Sequence, residues 1–253
     1  MPLYISLRDV KIIMYSFFGK VNGTMKKLRI LNANALKLIA LATMTIDHAG
    51  LYLFGNMTIM RIIGRIAFPI YAYMIAEGCR YTKNKLKYFL NVFLIGVIFQ
   101  FLRYPIFRDF QMCVLVTFGF SILVIYSIQY AKSKKSIISM LVPAAVIAAT
   151  IAICYGIPKF FPGLGFGVEY GILGVAVPVI VSLSDDRDVK LILAAFALVL
   201  LSADSYYLQW YSLLALIPLF LYNGERGKLN MKYFFYAYYP LHLVVIRLIK
   251  FFI

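Results

Sequence analysis

Apolar runs of membrane-spanning length recur along almost the whole chain, separated by short polar or basic stretches. Runs near 36–54, 59–78, 86–104, 113–131, 137–155, 168–184, 189–203, 206–222 and 233–252 each predict a helix. The run at 189–203 is short for a full crossing of a bilayer. The pattern therefore predicts an all-α, polytopic membrane bundle with eight or nine crossings. No strand-like alternation points to a β-barrel. Ahead of the first run lies a polar, basic arm over 1–34, with no cleavable signal peptide in it. Its segment Val10–Phe18 is apolar and aromatic but too short to cross, and predicts an interfacial helix. The chain thus divides into this arm and a transmembrane domain over 35–253.

Composition agrees: 63% of residues are hydrophobic and only 14% are charged, with a mean hydropathy of +0.85. A soluble domain is nearer half apolar and a quarter charged. A formal charge of +16 would ordinarily raise nucleic acid as a partner. Here the basic residues gather in alternate loops, as topology alone requires, so no nucleic-acid role is read from them. The N-terminal arm, Arg80–Lys87, Lys132–Lys135, Arg187–Lys190 and Arg226–Lys232 fall on one side, predicted to be cytosolic. Arg103, Arg108 and Lys159 fall on the other. This orientation predicts a multi-pass protein of the cell (inner or plasma) membrane. The three cysteines are widely spaced and make neither a disulfide framework nor a metal-ligand pattern, so no metal is expected.

Against this background the ionisable residues inside the apolar runs stand out, because each is costly in lipid unless paired or set in a polar cavity. Asp47 and His48 sit in the first run. Arg61 and Arg65, four residues apart, share one face of the second. Asp47 is expected to neutralise one arginine, which leaves a spare positive charge suited to an oxyanion or a phosphate. Both histidines, His48 and His242, lie within runs. Tying helices together is the bland role for each; proton exchange is the chemical one. Pro69 and Pro240 predict kinks near these groups, and Glu77 is expected to pair with Arg80 or the lysines after it. Glu169 stands at the outer boundary, where it can serve the acceptor. The Gly- and Pro-rich outer stretch Gly156–Gly167 is expected to dip back and cover something.

At these residues the sequence resembles the TraX family of membrane proteins. The likeness is carried by LKLIALATMTIDHAG, RIIGRIAFPIYAYMIAEGCRYTKN, Glu169-Tyr170-Gly171-Ile172-Leu173-Gly174-Val175 and KYFFYAYYPLH. It covers most of the chain after residue 34; Glu169 stands where the family is expected to carry aspartate. The resemblance implies an acyl-CoA-dependent acetyltransferase, the family's namesake being an acetylase of conjugative pilin. It also implies distant kinship with multi-span acyltransferases of the cell envelope. By this likeness His48 is the catalytic histidine, with Asp47, Arg61 and Arg65 as its polar set. His242, Tyr239, Glu169 and Tyr170 fall on the substrate side.

Acetyl transfer needs a base for the acceptor and donors for a tetrahedral oxyanion. His48 is the base in this expectation, and Arg61 or Arg65 holds the thioester oxygen. Acetyl-CoA, the expected co-substrate, comes from the cytosol, with Arg65, Arg80 and Lys83 expected to meet its phosphates. The acceptor is an amine or hydroxyl of a peptide, a pilin-like protein, or an envelope glycan or lipid. Two other classes fit buried His, Asp and Arg: a proton-coupled transporter, and a non-catalytic assembly subunit. The absence of a repeated half-pattern counts against the transporter.

Overall fold

Asn32 opens the first helix as its N-cap, its side-chain oxygen accepting the Ala35 N–H at 3.0 Å. Residues 28–107, 110–229 and 231–252 are described in a computed structural model of the chain. The expected interfacial helix at Val10–Phe18 lies outside the described residues. The fold is all-α apart from two three-residue strands. In chain order it comprises α1 (Ala33–Tyr52), α2 (Thr58–Gly64), α3 (Ala67–Tyr81), α4 (Lys85–Phe107), β1 (Phe110–Met112), α5 (Val114–Lys134) and α6 (Ile137–Ile151). A π-turn at Ala152–Gly156 then leads to α7 (Ile157–Phe160), β2 (Phe166–Val168), α8 (Gly171–Val181) and α9 (Arg187–Ala203). A 3-10 helix, Tyr207–Ala215, runs into α10 (Leu216–Phe220), and α11 (Lys232–Phe252) ends the chain.

Helix α3 is the axis of the fold. Ile70, Tyr73 and Met74 pack with Leu36 and Ala40 of α1 and with Val181, Ala194 and Leu219. Phe68, Ala72, Ile75 and Cys79 pack with Phe118 and Ile122 of α5 and with Val177, Leu198 and Leu201. Burial all round is what an apolar helix without a polar face requires. Outside, the surface is apolar: Ile137 and Ile138 are 84% and 77% exposed, as suits a lipid-facing helix.

Among the described residues, three segments are long and apolar enough to cross a membrane: Thr58–Tyr81, Val114–Lys134 and Ile137–Phe160. Of the eight or nine crossings read from hydropathy, these three are the ones that meet both length and apolarity among the described residues. Several expected spans are shorter or interrupted. The run at 168–184 gives up its start to β2 and keeps an 11-residue helix, about 16 Å long. The run at 206–222 splits into a 3-10 stretch and one turn of α-helix. The second run breaks at Arg65–Ile66, because Pro69 has no N–H to give the Arg65 carbonyl.

The acidic loop Asp185–Asp188, unusual on the basic side, is tied to basic partners. Arg80 pairs with the Asp185 carboxylate at 3.0 Å and donates to its carbonyl at 2.8 Å. Arg29 pairs with Asp188. Asp186 caps α9, accepting the backbone N–H of Val189 and of Asp188; these bonds hold its carboxyl below the ordinary range. Glu77 does not pair with Arg80 as expected. It pairs with Lys190 of α9, and the Tyr222 hydroxyl donates to it at 3.5 Å. The lysine is 1% exposed, so α3 and α9 are locked by a buried ion pair.

Candidate active site

The α1–α2 hairpin sets the charged cluster. A Cβ on Gly50 would lie 2.5 Å from the Met60 Cβ, so glycine there lets the two helices approach closely. The Asp47 carboxylate then meets both arginines: Arg61 Nη1 donates to Oδ2 at 2.7 Å, and Arg65 Nη2 to Oδ1 at 3.0 Å. All three side chains are largely buried. One carboxylate against two guanidinium groups leaves a net positive charge beside His48. Arg65 also reaches Gln209 Oε1 at 3.5 Å, which joins the 3-10 helix to the cluster.

The first and last described helices meet at the histidines. His48 Nδ1 lies 2.8 Å from His242 Nε2. His242 Nδ1 lies 3.1 Å from the carbonyl oxygen of Tyr238, one turn back on α11. The Tyr238 ring stacks on His242 with planes 3° apart, and its hydroxyl reaches Thr45 Oγ1 of α1 at 2.9 Å. His242 is 4% exposed, whereas His48 keeps part of its surface open. On its other side His48 stacks on Tyr52, whose ring also faces the Arg247 guanidinium at 4.6 Å.

The two strands and the turn after β2 supply the remaining pieces. β1 and β2 pair in parallel, Phe110 with Phe166 and Met112 with Val168. This pairing delivers Glu169 to the start of α5, where its carboxylate accepts the Val114 N–H at 2.9 Å. Tyr170 follows with φ of 61°, a left-handed conformation that costs a tyrosine on the order of 1–3 kcal/mol. It stacks on Phe68, centroids 4.0 Å apart, next to Arg65. Within the Gly156–Gly167 stretch Phe160 and Phe161 are exposed, while its end, Phe166–Gly167, pairs with β1.

A cavity of about 860 Å³ opens on the basic side. Asn34, Lys37, Asn84, Lys87 and Arg226 line its mouth, and Val92, Leu115 and Phe118 its neck. Tyr71 and Tyr239 also line it, and Tyr239 meets the His242 ring at 5.9 Å between centroids. Its volume lies in the range of small-ligand pockets, roughly 300–1,000 Å³.

The structure therefore brings together Asp47, Arg61, Arg65, His48, His242, Tyr239, Tyr170 and Glu169. It does not bring Arg80 or Lys83 to the cavity; Arg80 is turned to Asp185. Arg65, also expected to meet phosphates, faces Asp47 instead. Both arginines contact Asp47, so the spare charge is shared between them. Sequence reasoning missed Gln209, although a glutamine within an apolar run is itself a signal.

The family model described as "TraX protein" matches residues 32–250. An uncharacterized protein of Rickettsia prowazekii (strain Madrid E) is 43% identical over 75 residues, 30% of this chain. That stretch spans only 28% of the relative's own length. The probable fimbrial assembly protein FimC, serogroup H1, of Dichelobacter nodosus is 26% identical over 247 residues. That match takes in 88% of this chain and 97% of the relative. No solved structure matches.

Proposed function

The chain belongs to the TraX family, and from that premise we propose that it is an acetyltransferase embedded in the cell membrane with its basic face to the cytosol. It moves an acetyl group from acetyl-CoA to an amine or hydroxyl of a peptide, a pilin-like protein, or an envelope glycan or lipid. The observation that carries this reading is a histidine pair beside two buried arginines, with Tyr239 joining His242 to a cavity that opens on the basic face.

The cavity suits the donor. Lys37, Lys87 and Arg226 at the mouth are phosphate-binding side chains, and the apolar neck fits an uncharged thioester arm. The acceptor approaches from the outer side or the lipid. His48 takes its proton as the amine or hydroxyl attacks the thioester carbonyl carbon. The carbonyl electron pair moves onto oxygen, where the positive charge shared by Arg61 and Arg65 stabilises it. Arg61 Nε and Gln209 Nε2 are buried donors without a hydrogen-bond partner among the described residues, the kind of group an oxyanion needs. Collapse breaks the C–S bond, and the departing sulfur recovers the proton from His48. The products are the acetylated acceptor and free CoA.

The fimbrial-assembly relative favours a second reading, in which the cluster only ties helices together. Purified protein, acetyl-CoA carrying a labelled acetyl group, and membrane or pilin acceptors separate the two. Catalysis predicts labelling that His48→Ala and His48→Gln each lower about a hundredfold or more while the protein stays folded. Acid should quench wild-type turnover by protonating the base, and this quenching should be missing from the residual activity of His48→Gln. A folded His48→Gln protein with normal turnover would end the catalytic reading.

A further inference from the structure

The two histidines form a chain of hydrogen bonds with a defined direction. The Tyr238 carbonyl can only accept, so the hydrogen in the 3.1 Å contact belongs to His242 Nδ1. A neutral imidazole with its hydrogen on Nδ1 carries a lone pair on Nε2. That nitrogen therefore accepts across the 2.8 Å contact, and the hydrogen there belongs to His48 Nδ1. The same rule then applies once more: His48 is left with a bare Nε2.

We propose that His242 is a positioning residue that fixes His48 as the Nδ1–H tautomer and leaves His48 Nε2 as the proton-accepting nitrogen. The alternative needs a doubly protonated His242, donating from both nitrogens and placing the hydrogen of His48 on Nε2. That would bury an imidazolium at 4% exposure, against a histidine already influenced by Arg61 and Arg65. The other ionisable groups around the pair are Asp47, which those arginines hold, the phenols of Tyr52, Tyr238 and Tyr239, and Arg247 beyond Tyr52. The arrangement parallels the serine-protease triad, where an acceptor behind the histidine sets its tautomer. Here a second histidine and a backbone carbonyl take the place of the carboxylate, which spares the membrane interior another charge. The function of the bare nitrogen rests on the acetyl-transfer reading; its existence does not.

The chain has only two histidines, so protein labelled with ¹⁵N-histidine and reconstituted in nanodiscs gives a spectrum of two rings. Long-range ¹H–¹⁵N correlations should show, near neutral pH, hydrogen on Nδ1 and a bare Nε2 in both. A hydrogen on His48 Nε2, in either the neutral or the doubly protonated ring, would overturn the proposal. Substitution supplies a second arm. Glutamine places its side-chain oxygen near the former Nε2, whereas the shorter asparagine reaches only the former Nδ1. His242→Gln should therefore keep His48 in the Nδ1–H form and retain turnover. His242→Asn should release it and lower kcat about 10–100-fold, with KM for acetyl-CoA unchanged. Equal loss in both folded variants, or loss in neither, would reduce His242 to packing. If wild-type protein shows the expected tautomers but transfers no acetyl group, the catalytic reading falls and the relay stands. If transfer depends on His48 but Nε2 is protonated at rest, the relay falls and the catalytic reading stands.

Discussion

Gly64 and Asp47 are in contact to the point that no other residue fits at 64: a Cβ there would lie 2.1 Å from Asp47 Oδ1. The glycine of α2 is the floor on which the carboxylate rests while it binds both arginines. Gly64→Ala should push Asp47 off that position, lower thermal stability and lower acetyl transfer together. Gly156→Ala, where a Cβ meets nothing within 4 Å, should be neutral or slightly stabilising by about 0.5–1 kcal/mol. Melting curves of the two variants in one detergent make the comparison. Equal behaviour would mean that the hairpin relaxes around the added carbon.

Asp47→Asn should destabilise by about 3–5 kcal/mol, because it leaves two buried guanidinium groups without a counter-charge. Adding Arg61→Gln should recover part of that loss, since one of the uncompensated charges goes with it. A double-mutant cycle measures the coupling. Strict additivity would show that Asp47 and Arg61 do not interact energetically.

The cavity separates Lys87 from Lys83, although both belong to the same basic stretch of sequence. Lys87→Glu should raise KM for acetyl-CoA about tenfold with little change in kcat, as expected for a lost charge-assisted phosphate contact. Lys83→Glu should leave KM near the wild-type value. The reverse result would place the donor elsewhere on the basic face.

Asp186 caps α9 from the aqueous side. Asp186→Ala should cost about 1 kcal/mol at neutral pH. Because the folded-state pKa is lowered by the Val189 and Asp188 N–H groups, the cap stabilises above the ordinary aspartate range, near pH 3.9. Its contribution is lost as pH falls through the lowered folded-state value. The stability gap between wild type and Asp186→Ala should therefore be present at neutral pH and close in acid. A gap that widened in acid would contradict the capping geometry.

The charges buried in the first two apolar runs were legible because a bilayer penalises each of them, so Asp47, Arg61 and Arg65 announce their own pairing. A spacing of four on a helix puts the arginines on one face whatever the rest of the fold does. Glu77 shows the limit of such local reasoning. Its near neighbour Arg80 was the expected partner, but α9 carries Lys190 into the core and the acidic loop draws Arg80 away. A glutamine at 209 also gave no local hint of its neighbour, since Arg65 lies 144 positions earlier.

The sequence by itself determined the helical class, the clustering of basic residues in alternate loops and the set of polar residues that lipid would not tolerate alone. Each of these follows from how one residue or one run is solvated. Only the tertiary structure decided which of them meet. His48 and His242 stand 194 positions apart and come together at 2.8 Å because α1 packs on α11. The cavity exists because α1, α3, α4, α5 and the approach to α11 leave space between them. Hydropathy reports how far a segment prefers lipid to water, and it is silent on which neighbour fills each groove. That choice is made by side-chain packing across the whole bundle, where the hydrogen-bond direction between the histidines is also set.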